Sequence, residues 1–185
     1  VEGFELGDRV VGSGTKGGYA THTIAKTDGV FKIPDEITFD VAAAFPAVYL
    51  TSYLMIIHPG ALQKGESILI HGAAGGVGLA SIELAKIAGA KTIFGTCSPS
   101  KHEFIQERGV LPVDRDNFLA GIMEWTDGKG VELVLDPIGG EHLMQSYRCL
   151  GSGGRVCSFG ISDMAPGKTK SRWKRFRSWM TFPKF

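Results

Sequence analysis

The feature that most constrains the fold is a glycine-rich turn between an apolar run and a helical pattern. Residues 68–71 read ILIH, and residues 72–78, which follow at once, read GAAGGVG. Beyond the turn, Val77, Ala80, Leu84 and Ala88 recur at i, i+3, i+7 and i+11, which predicts a helix over residues 77–88 with one apolar face. A buried strand that turns tightly into such a helix is typical of a parallel α/β sheet.

The spacing of these glycines matches most of a dinucleotide-binding fingerprint. In that fingerprint three glycines allow a tight turn, the close approach of a pyrophosphate to backbone N–H groups, and close packing of the helix on the strand. Gly75 and Gly78 occupy the second and third places, whereas Ala73 occupies the first. The strand before the turn and the helix after it are the context that the motif requires. A packing turn that binds no ligand is the alternative.

After Ser67 the whole chain alternates between strand and helix patterns. The predicted strands lie at residues 68–71, 92–96, 111–113, 133–136 and 156–159, and the predicted helices at 77–88, 100–108, 118–125 and 140–150. This alternation requires right-handed crossovers, so we expect an α/β fold with five parallel strands, a Rossmann-type sheet that lacks its last strand.

The end of the second predicted strand indicates the type of nucleotide. NAD-binding sheets of this kind place an Asp or Glu there, on the ribose 2′-hydroxyl. No acidic residue lies between Glu83 and Glu103, and Ser98, Ser100 and Lys101 follow the strand instead. Hydroxyls and a cation suit a 2′-phosphate and so predict NADPH, preferred over NADH roughly 10- to 150-fold by charge-assisted hydrogen bonds of about 1.5–3 kcal/mol. The alternative is that a serine caps the next helix and Lys101 is solvated.

The first 66 residues have a different pattern. Short β-like segments at residues 9–11, 19–25 and 30–33 predict the remnant of a small β-barrel. Residues 39–57 are rich in apolar side chains, and because Pro46 interrupts them we expect a short helix followed by a longer one. The expected organisation is a barrel remnant over 1–45, a bridging helix over 46–66 and a truncated nucleotide-binding domain over 67–185.

Composition excludes several classes of protein. The 20 basic and 19 acidic residues give a net charge of +1, which argues against a chain built mainly to coat nucleic acid or an anionic membrane. The three cysteines, Cys97, Cys149 and Cys157, form neither a CxxC pair nor a disulfide framework, so a reducing cytoplasm is the simplest location. The chain has no run of about eighteen apolar residues and no signal-peptide pattern, so no spanning helix is expected.

Several motifs together resemble a known family. They are HGAAGGVG at residues 71–78, FGT at 94–96, VLDPIGG at 134–140, and GGRV at 153–156 leading to SFG at 158–160. Over essentially the whole chain they resemble the zinc-independent quinone oxidoreductase branch of the medium-chain dehydrogenase/reductase superfamily. Residues 94–104 are most similar to the subgroup of the synaptic-vesicle amine-transport protein homologue. Residues 18–20 and 34–36 resemble the end of that family's GroES-like substrate domain.

The resemblance implies hydride transfer from NADPH to a quinone or another conjugated carbonyl, without zinc, in a cleft between the barrel and the nucleotide-binding domain. Thr51 and Tyr53 would lie beside the nicotinamide, where the Tyr53 hydroxyl or solvent would supply a proton, although a packed Tyr without a catalytic role is the alternative. The residues expected along the other flank of the nicotinamide are Phe159, Gly160 and Ile161.

The same resemblance assigns the phosphate contacts. The residues expected to meet the pyrophosphate are Gly75, Gly76, Val77 and Gly78, and Ser98 and Lys101 would meet the 2′-phosphate. Arg115 stands where the family usually has a Tyr, so a guanidinium that pairs with phosphate or stacks on adenine would replace one adenosine contact. The position of a metal ligand in the zinc-dependent relatives is Ala47, and no metal is expected.

Other polar residues carry weaker expectations. His71 is expected to pack under the turn, and Asp136 either caps the loop that follows it or touches the cofactor. The other histidines, His22, His58, His102 and His142, show no spacing typical of metal ligands.

The C-terminal segment and the length of the chain leave alternatives open. Residues 168–185 contain seven basic residues and no acid, and Trp173, Phe176 and Met180 predict a cationic amphipathic helix. That helix would pack on the domain or on a second subunit of a homodimer, or lie on a membrane or RNA. Because the family's members are much longer, we expect a central fragment. The alternative functions are a nucleotide-binding, membrane- or RNA-associating protein without turnover, and an enoyl reductase module of a multidomain synthase.

Overall fold

The computed structural model describes residues 2–12 and 17–160 of the 185. The chain divides into two compact units, Val1–Leu50 and Thr51–Phe185. Ile161 and the helix predicted over 168–185 lie outside the described residues.

The first unit contains a two-stranded antiparallel ladder. The strand β1 (Val10–Gly12) pairs with β2 (Val30–Lys32), and a 3₁₀ turn at Thr27–Gly29 leads into β2. The Arg9 guanidinium donates a hydrogen bond to the carbonyl oxygen of Pro34 at 2.9 Å. This contact holds the turn after β2 close to the start of β1.

The strand expected at residues 19–25 is not formed. That segment contains bends and irregular backbone, and Tyr19 and Ile24 are almost fully exposed. A sequence with high β propensity becomes a strand only where it pairs with a neighbour and buries one face. Among the described residues of this unit, the strand pairing joins β1 and β2, so the prediction was wrong for residues 19–25.

One helix, α1 (Phe39–Ile57), replaces the expected pair of helices. Pro46 lies inside α1, where its missing N–H removes one hydrogen bond without ending the helix. Within the described residues, α1 alone is long and apolar enough to cross a membrane by length and composition, which the sequence analysis did not expect. Its last turns belong to the second unit, whose core contains the fully buried Ile56.

The second unit is a parallel sheet with helices between its strands. The strands are β3 (Ser67–His71), β4 (Thr92–Cys97), β5 (Leu111–Asp114), β6 (Val131–Asp136) and β7 (Leu150–Ser158). The helices are α2 (Gly76–Ile87), α3 (His102–Gln106), α4 (Phe118–Trp125) and α5 (Gly140–Arg148). The spatial order β5-β4-β3-β6-β7, with all neighbours parallel, is that of a Rossmann-type sheet.

Alternate residues of the central strands enter two separate cores. Ile68 and Ile70 of β3 pack in the cluster that contains Ile82 of α2, whereas Leu69 packs in the cluster that contains Phe118 of α4. Side chains of a strand alternate between the two faces of a sheet, so helices cover both faces here. This explains why β3 is a continuous apolar run in the sequence.

The expected fold class and its five parallel strands are confirmed, and the helix predicted over residues 118–125 coincides with α4. Most other boundaries lie within two residues of the predicted ones, with two further differences. The segment predicted as a helix from Ser100 begins with a 3₁₀ turn at Pro99–Lys101. The last strand begins at Leu150 rather than at Val156, because β7 pairs with β6 on both sides of an irregularity between Val131 and Leu133.

Candidate functional site

The carboxyl ends of the five strands form the edge of the sheet where ligands bind in folds of this kind. From β3 the chain passes through α2 to β4 on one side of β3 and then to β5 beyond β4, whereas β6 lies on the other side of β3. The strand order therefore reverses between β3 and β6, and such a switch point opens a crevice at the carboxyl edge. The described residues predicted to contact phosphate follow β3, β4 or β5 at this edge, whereas Thr51 and Tyr53 lie on α1.

The glycine-rich turn presents backbone N–H groups at the start of α2. Gly75 is the N-cap residue and has no side chain with which to cap the helix. The first i to i−4 hydrogen bond of α2 joins the Leu79 N–H to the Gly75 carbonyl oxygen at 2.8 Å. The N–H groups of Gly76, Val77 and Gly78 come before it, so they have no acceptor within the helix. Gly75 and Gly76 are exposed. These groups fit an anion such as a pyrophosphate.

Gly78 allows α2 to approach the turn closely. A Cβ at this position would lie 2.7 Å from the Cα and the carbonyl carbon of Ala73 and would also meet the oxygen of Gly72. No side chain fits there, which explains the glycine in the third place of the fingerprint.

Ala73, in the first place of the fingerprint, is completely buried. A Cβ added at Gly95 of β4 would lie 2.8 Å from the Ala73 methyl group and 2.7 Å from Val110. The neighbouring strand therefore has a glycine where the methyl group of Ala73 needs room.

Ser98, Lys101 and Arg115 lie at one corner of the carboxyl edge. Ser98 is the N-cap residue of the 3₁₀ turn, yet its hydroxyl makes no capping hydrogen bond, so the expected alternative role as a side-chain cap is not observed. Arg115 follows β5, whose last residue Asp114 pairs with Cys97 of β4. Burial raises the pKa of the Cys97 thiol, and the nearby charges of Lys101 and Arg115 oppose that rise. Both cations thus act on the end of β4.

Thr51 and Tyr53 flank a buried anchor that the sequence analysis did not identify. Between them, Ser52 is fully buried, and its hydroxyl donates a hydrogen bond to the Val77 carbonyl oxygen at 3.0 Å and accepts one from Ser81 at 3.0 Å. These bonds hold the last turns of α1 against the first turns of α2. Tyr53 is 47% exposed, in contrast to the buried Ser52.

Phe159 and Gly160 follow β7 and lie against the loop that follows β6. The Phe159 N–H donates a hydrogen bond to the backbone carbonyl oxygen of Asp136 at 3.1 Å. A Cβ at Gly160 would lie 2.8 Å from the carbonyl carbon of Pro137. Ile161, the third residue predicted for this flank, lies outside the described residues.

A buried polar cluster lies beneath these loops, where β3 and β6 end. We call it the strand-end cluster; its members are His71, Thr96, Asp136, His142 and Ser146. His71 Nδ1 lies 3.0 Å from Thr96 Oγ1. Asp136 Oδ2 accepts a hydrogen bond from Ser146 Oγ at 2.6 Å and lies 2.9 Å from His142 Nδ1. His71 is buried, and its ring packs edge-on against the rings of Phe118 and His142. Asp136 caps the loop that follows it, which is one of its two expected roles.

Burial and hydrogen bonding shift the pKa values inside the strand-end cluster. Burial, followed by the charge of His142, lowers the pKa of His71 to about 3, against a smaller opposing effect of Asp136. Burial alone would raise the pKa of Asp136, but hydrogen bonds from His142, Ser146 and two backbone N–H groups hold it well below its ordinary value. At neutral pH, His71 is therefore uncharged and Asp136 is a carboxylate.

The comparison with sequence families agrees with this geometry. The family described as zinc-binding dehydrogenase matches residues 76–180, more than half of the chain. The chain belongs to this family. Its place is among the quinone oxidoreductase-like members of the medium-chain dehydrogenase/reductase superfamily, which confirms the resemblance seen in the sequence motifs.

Two curated relatives illustrate the similarity. The chain is 41% identical over 172 residues to the highly reducing polyketide synthase phiA of Fungal sp. (strain ATCC 74256), covering 89% of this chain and 7% of that protein. It is 35% identical over 178 residues to the synaptic vesicle membrane protein VAT-1 homolog of Homo sapiens, covering 95% of this chain and 45% of that protein. The chain thus spans less than half of these relatives.

Three solved structures have the same fold. The CurK enoyl reductase has a TM-score of 0.82 and 34% identity, covering 96% of this chain and 53% of its own. A quinone oxidoreductase of Pseudomonas syringae pv. tomato DC3000 has a TM-score of 0.80 and 29% identity, covering 95% and 55%. The mycobacterial protein Rv1454c, solved in complex with NADPH, has a TM-score of 0.80 and 27% identity, covering 94% and 54%.

The name of the family refers to zinc, which proteins bind through Cys, His, Asp or Glu side chains. One group of three potential ligands is found among them, His71, Asp136 and His142, whose donor atoms lie within 4.8 Å of one another. The Ser146 hydroxyl lies among these atoms, 2.6 Å from Asp136, 3.1 Å from His71 and 3.5 Å from His142. Because the hydroxyl fills the centre of the group, these residues do not fit a metal ion.

The sequence analysis missed the strand-end cluster as a unit. Its members are spread from residue 71 to residue 146, and the histidine spacing contains no signal. A usable signal exists in the topology: His71 and Asp136 end adjacent parallel strands, and His142 and Ser146 are four residues apart on α5. Only the strand order, which the sequence leaves open in detail, brings the two pairs together.

Proposed function

We propose that this chain is the nucleotide-binding part of an NADPH-dependent oxidoreductase that transfers a hydride to a quinone or another conjugated carbonyl without zinc. The observation that carries the proposal is the corner of the site at the ends of β4 and β5. Ser98, with an uncommitted capping hydroxyl, and the cations Lys101 and Arg115 lie there, and no acidic residue occupies the end of β4. This arrangement favours a 2′-phosphate over a free ribose hydroxyl.

The division of roles follows from the loops at the carboxyl edge. The N–H groups of Gly76, Val77 and Gly78 would bind the pyrophosphate at the positive end of the α2 dipole. The exposed Gly75, whose N–H donates to the Gly72 oxygen at 2.9 Å, would let the pyrophosphate approach the backbone closely. NADPH, when bound, supplies the hydride.

The protein's own part in the reaction is to hold the nicotinamide ring beside the substrate and to exclude water. Phe159 and Gly160, with Ile161, would form one wall beside the nicotinamide, and Thr51 would contact its other side. The hydroxyl of the half-exposed Tyr53 would deliver a proton to a substrate that needs one. A quinone needs no protein acid to accept the hydride, so Tyr53 matters most for other conjugated carbonyls.

A second candidate function is that of an enoyl reductase module in a larger synthase. The similarity to the CurK enoyl reductase and to the phiA polyketide synthase favours it. It keeps the same cofactor contacts and replaces the quinone by an enoyl thioester. For either candidate we propose a cytoplasmic protein that forms homodimers and acts on a small molecule.

The test is a parallel fluorescence titration of the chain with NADPH and NADH. We expect NADPH to bind at least tenfold more tightly, because a charge-assisted hydrogen bond contributes about 1.5–3 kcal/mol. Lys101→Ala should weaken NADPH binding about tenfold and leave NADH binding nearly unchanged. The matched control is Lys129→Ala, an exposed lysine just before β6 at the opposite edge of the sheet, which should change neither affinity.

Equal affinity of the folded chain for the two nucleotides would contradict the proposal. Oxidation of NADPH with a 1,4-quinone, compared with that with an enoyl thioester, separates the two candidate functions. Tight NADPH binding without oxidation by either substrate would favour the nucleotide-binding alternative without turnover.

A further inference from the structure

A buried chain of hydrogen bonds joins three strand ends of the second unit. Thr96 of β4 is 1% exposed, His71 of β3 is 2% exposed and Ser146 of α5 is fully buried. Thr96 Oγ1 lies 3.0 Å from His71 Nδ1, and Ser146 Oγ lies 3.1 Å from His71 Nε2. The chain ends where Ser146 Oγ donates to Asp136 Oδ2 at 2.6 Å.

The hydrogens along this chain have one consistent arrangement. A carboxylate only accepts, so the single hydrogen of the Ser146 hydroxyl is committed to Asp136. The Ser146 oxygen can then meet His71 only as an acceptor, which places the ring hydrogen of His71 on Nε2. Because the buried ring is uncharged, its Nδ1 is an acceptor and receives the hydrogen of the Thr96 hydroxyl. Donation therefore runs in one direction, from Thr96 to Asp136.

The other oxygen of Asp136 holds the loop between β6 and α5. Asp136 Oδ1 accepts the N–H groups of Ile138 at 2.7 Å and Gly139 at 2.9 Å. Gly139 has a φ of +79°, a conformation that side chains rarely adopt, so this loop has a special shape that the carboxylate maintains. The same loop places Pro137 directly against Gly160.

We propose that Thr96, His71 and Ser146 are positioning residues: they form a one-directional hydrogen-bond relay that orients the Asp136 carboxylate and thereby sets the 137–140 loop against Gly160. All residues of the relay lie in the second unit, so the relay itself does not depend on the proposed function. Its functional consequence, the placement of one wall beside the nicotinamide, rests on the proposed function. Every donor along the relay has an acceptor, and removing one partner leaves a buried polar group unsatisfied.

Hydrogen exchange measures the first part of the inference. Ser146→Ala should accelerate exchange of the Ile138 and Gly139 amides about tenfold or more beyond any change at the core amide of Leu69, because Asp136 loses a charge-assisted bond. The matched control is Ser67→Ala at the opposite edge, which also removes a hydroxyl donating to a carboxylate at 2.6 Å, that of Glu132. Ser67→Ala should leave the ratio of the exchange rates of the loop amides to that of the core amide unchanged.

Nuclear magnetic resonance of the ring nitrogens tests the direction of the relay. The hydrogen of His71 should be found on Nε2 in the wild-type chain, and Ser146→Ala should shift it toward Nδ1. Thr96→Val, which preserves shape but removes the hydroxyl, should also accelerate the two loop amides. Thr96→Ser should restore their exchange to within about twofold of the wild type, because it returns the donor.

A wild-type His71 with its hydrogen on Nδ1 would overturn the relay. So would loop amides that exchange in Ser146→Ala at the wild-type rate, or that accelerate only as much as the core amide.

A kinetic experiment tests the functional consequence. At saturating NADPH, Ser146→Ala should lower kcat for quinone reduction about tenfold and keep the KM for NADPH within about threefold, since the phosphate contacts lie on other loops. Ser67→Ala should change neither constant. An equal kcat in Ser146→Ala and the wild type would overturn the positioning role. If the wild-type chain does not oxidise NADPH, the proposed function fails, and the exchange and resonance data still decide for or against the relay.

Discussion

Arg155 of β7 donates two parallel hydrogen bonds to the Glu66 carboxylate, from Nη1 to Oε1 at 2.9 Å and from Nη2 to Oε2 at 2.6 Å. The same guanidinium donates to the carbonyl oxygens of Gly60 at 2.7 Å and Ala61 at 3.0 Å. One side chain of a strand near the edge of the sheet therefore fixes the whole connection between α1 and β3. The planar fork of arginine matches this set of acceptors, and the single ammonium of lysine does not.

Arg155→Lys should lower the free energy of unfolding by about 1–2 kcal/mol, because it keeps the charge but loses most of the directed hydrogen bonds. Urea denaturation measures the effect. The control is Lys86→Ala, which removes an exposed ion pair with Glu83 at 3.7 Å and should change stability by less than about 0.5 kcal/mol. Equal losses in the two variants would contradict a special role for the guanidinium.

The partner of Arg155 makes stability depend on acid pH. The hydrogen bond from Arg155 lowers the pKa of Glu66 below 4.5, against the opposing effect of burial. The contribution of this pair is present above pH 4.5 and is lost as the pH falls through the lowered pKa of the folded state. Glu66→Gln should therefore reduce stability at neutral pH and flatten its decline below pH 4.5, as measured by urea denaturation over a pH series. A decline as steep as that of the wild type would contradict this assignment.

His71 makes stability depend on pH in a different range. Its pKa is about 3 in the folded chain against 6.5 without burial, so only the unfolded chain takes up a proton between these values. The free energy of unfolding should then fall as the pH drops below 6.5, by about 1 kcal/mol from this residue between roughly pH 7 and pH 5.5.

Two variants isolate the effect of His71. His71→Gln should lose that part of the slope, although it also lowers stability at every pH by disturbing the strand-end cluster. His22→Gln, at an exposed position in the first unit, should keep the slope. Urea midpoints at the two pH values provide the comparison, and an unchanged slope in His71→Gln would show that another group takes up the proton.

The sequence predicts the sheet well because each element carries its own local signal. The 68–71 run, the glycine turn and the apolar stripe of α2 all depend on neighbours within a dozen residues. The strand-end cluster has no such signal, since His71 and Ser146 meet only after β3 and β6 pair. The prediction of a strand at residues 19–25 failed for the opposite reason: the local β pattern is clear, but strand formation also depends on pairing and burial, and these residues form bends and irregular backbone.

The interrupted fingerprint can be tested by moving the methyl group of Ala73 to Gly95 of the neighbouring strand. Gly95→Ala alone should cost about 1–3 kcal/mol, because the new Cβ meets the Ala73 methyl group and Val110. Ala73→Gly alone should cost about 1 kcal/mol from lost packing and added backbone freedom. The double variant should be more stable than the sum of the single effects predicts, by about 1 kcal/mol, but less stable than the wild type because Val110 remains. Additive effects in denaturation would show that the two positions do not share this space.

A conjugated carbonyl other than a quinone requires a proton, which we expect the Tyr53 hydroxyl to deliver. Tyr53 is half-exposed and its ring meets that of His58 edge-on, 6.0 Å between centroids, so Tyr53→Phe preserves the packing and removes only the hydroxyl. If the hydroxyl delivers a proton, reduction of an enone should slow at least about tenfold, the lower range for loss of a general acid. Reduction of a quinone should change by less than about threefold, because its product takes protons from solvent. NADPH affinity should stay the same, which separates proton delivery from cofactor contact. Equal slowing with both substrates would assign Tyr53 to the placement of the nicotinamide instead.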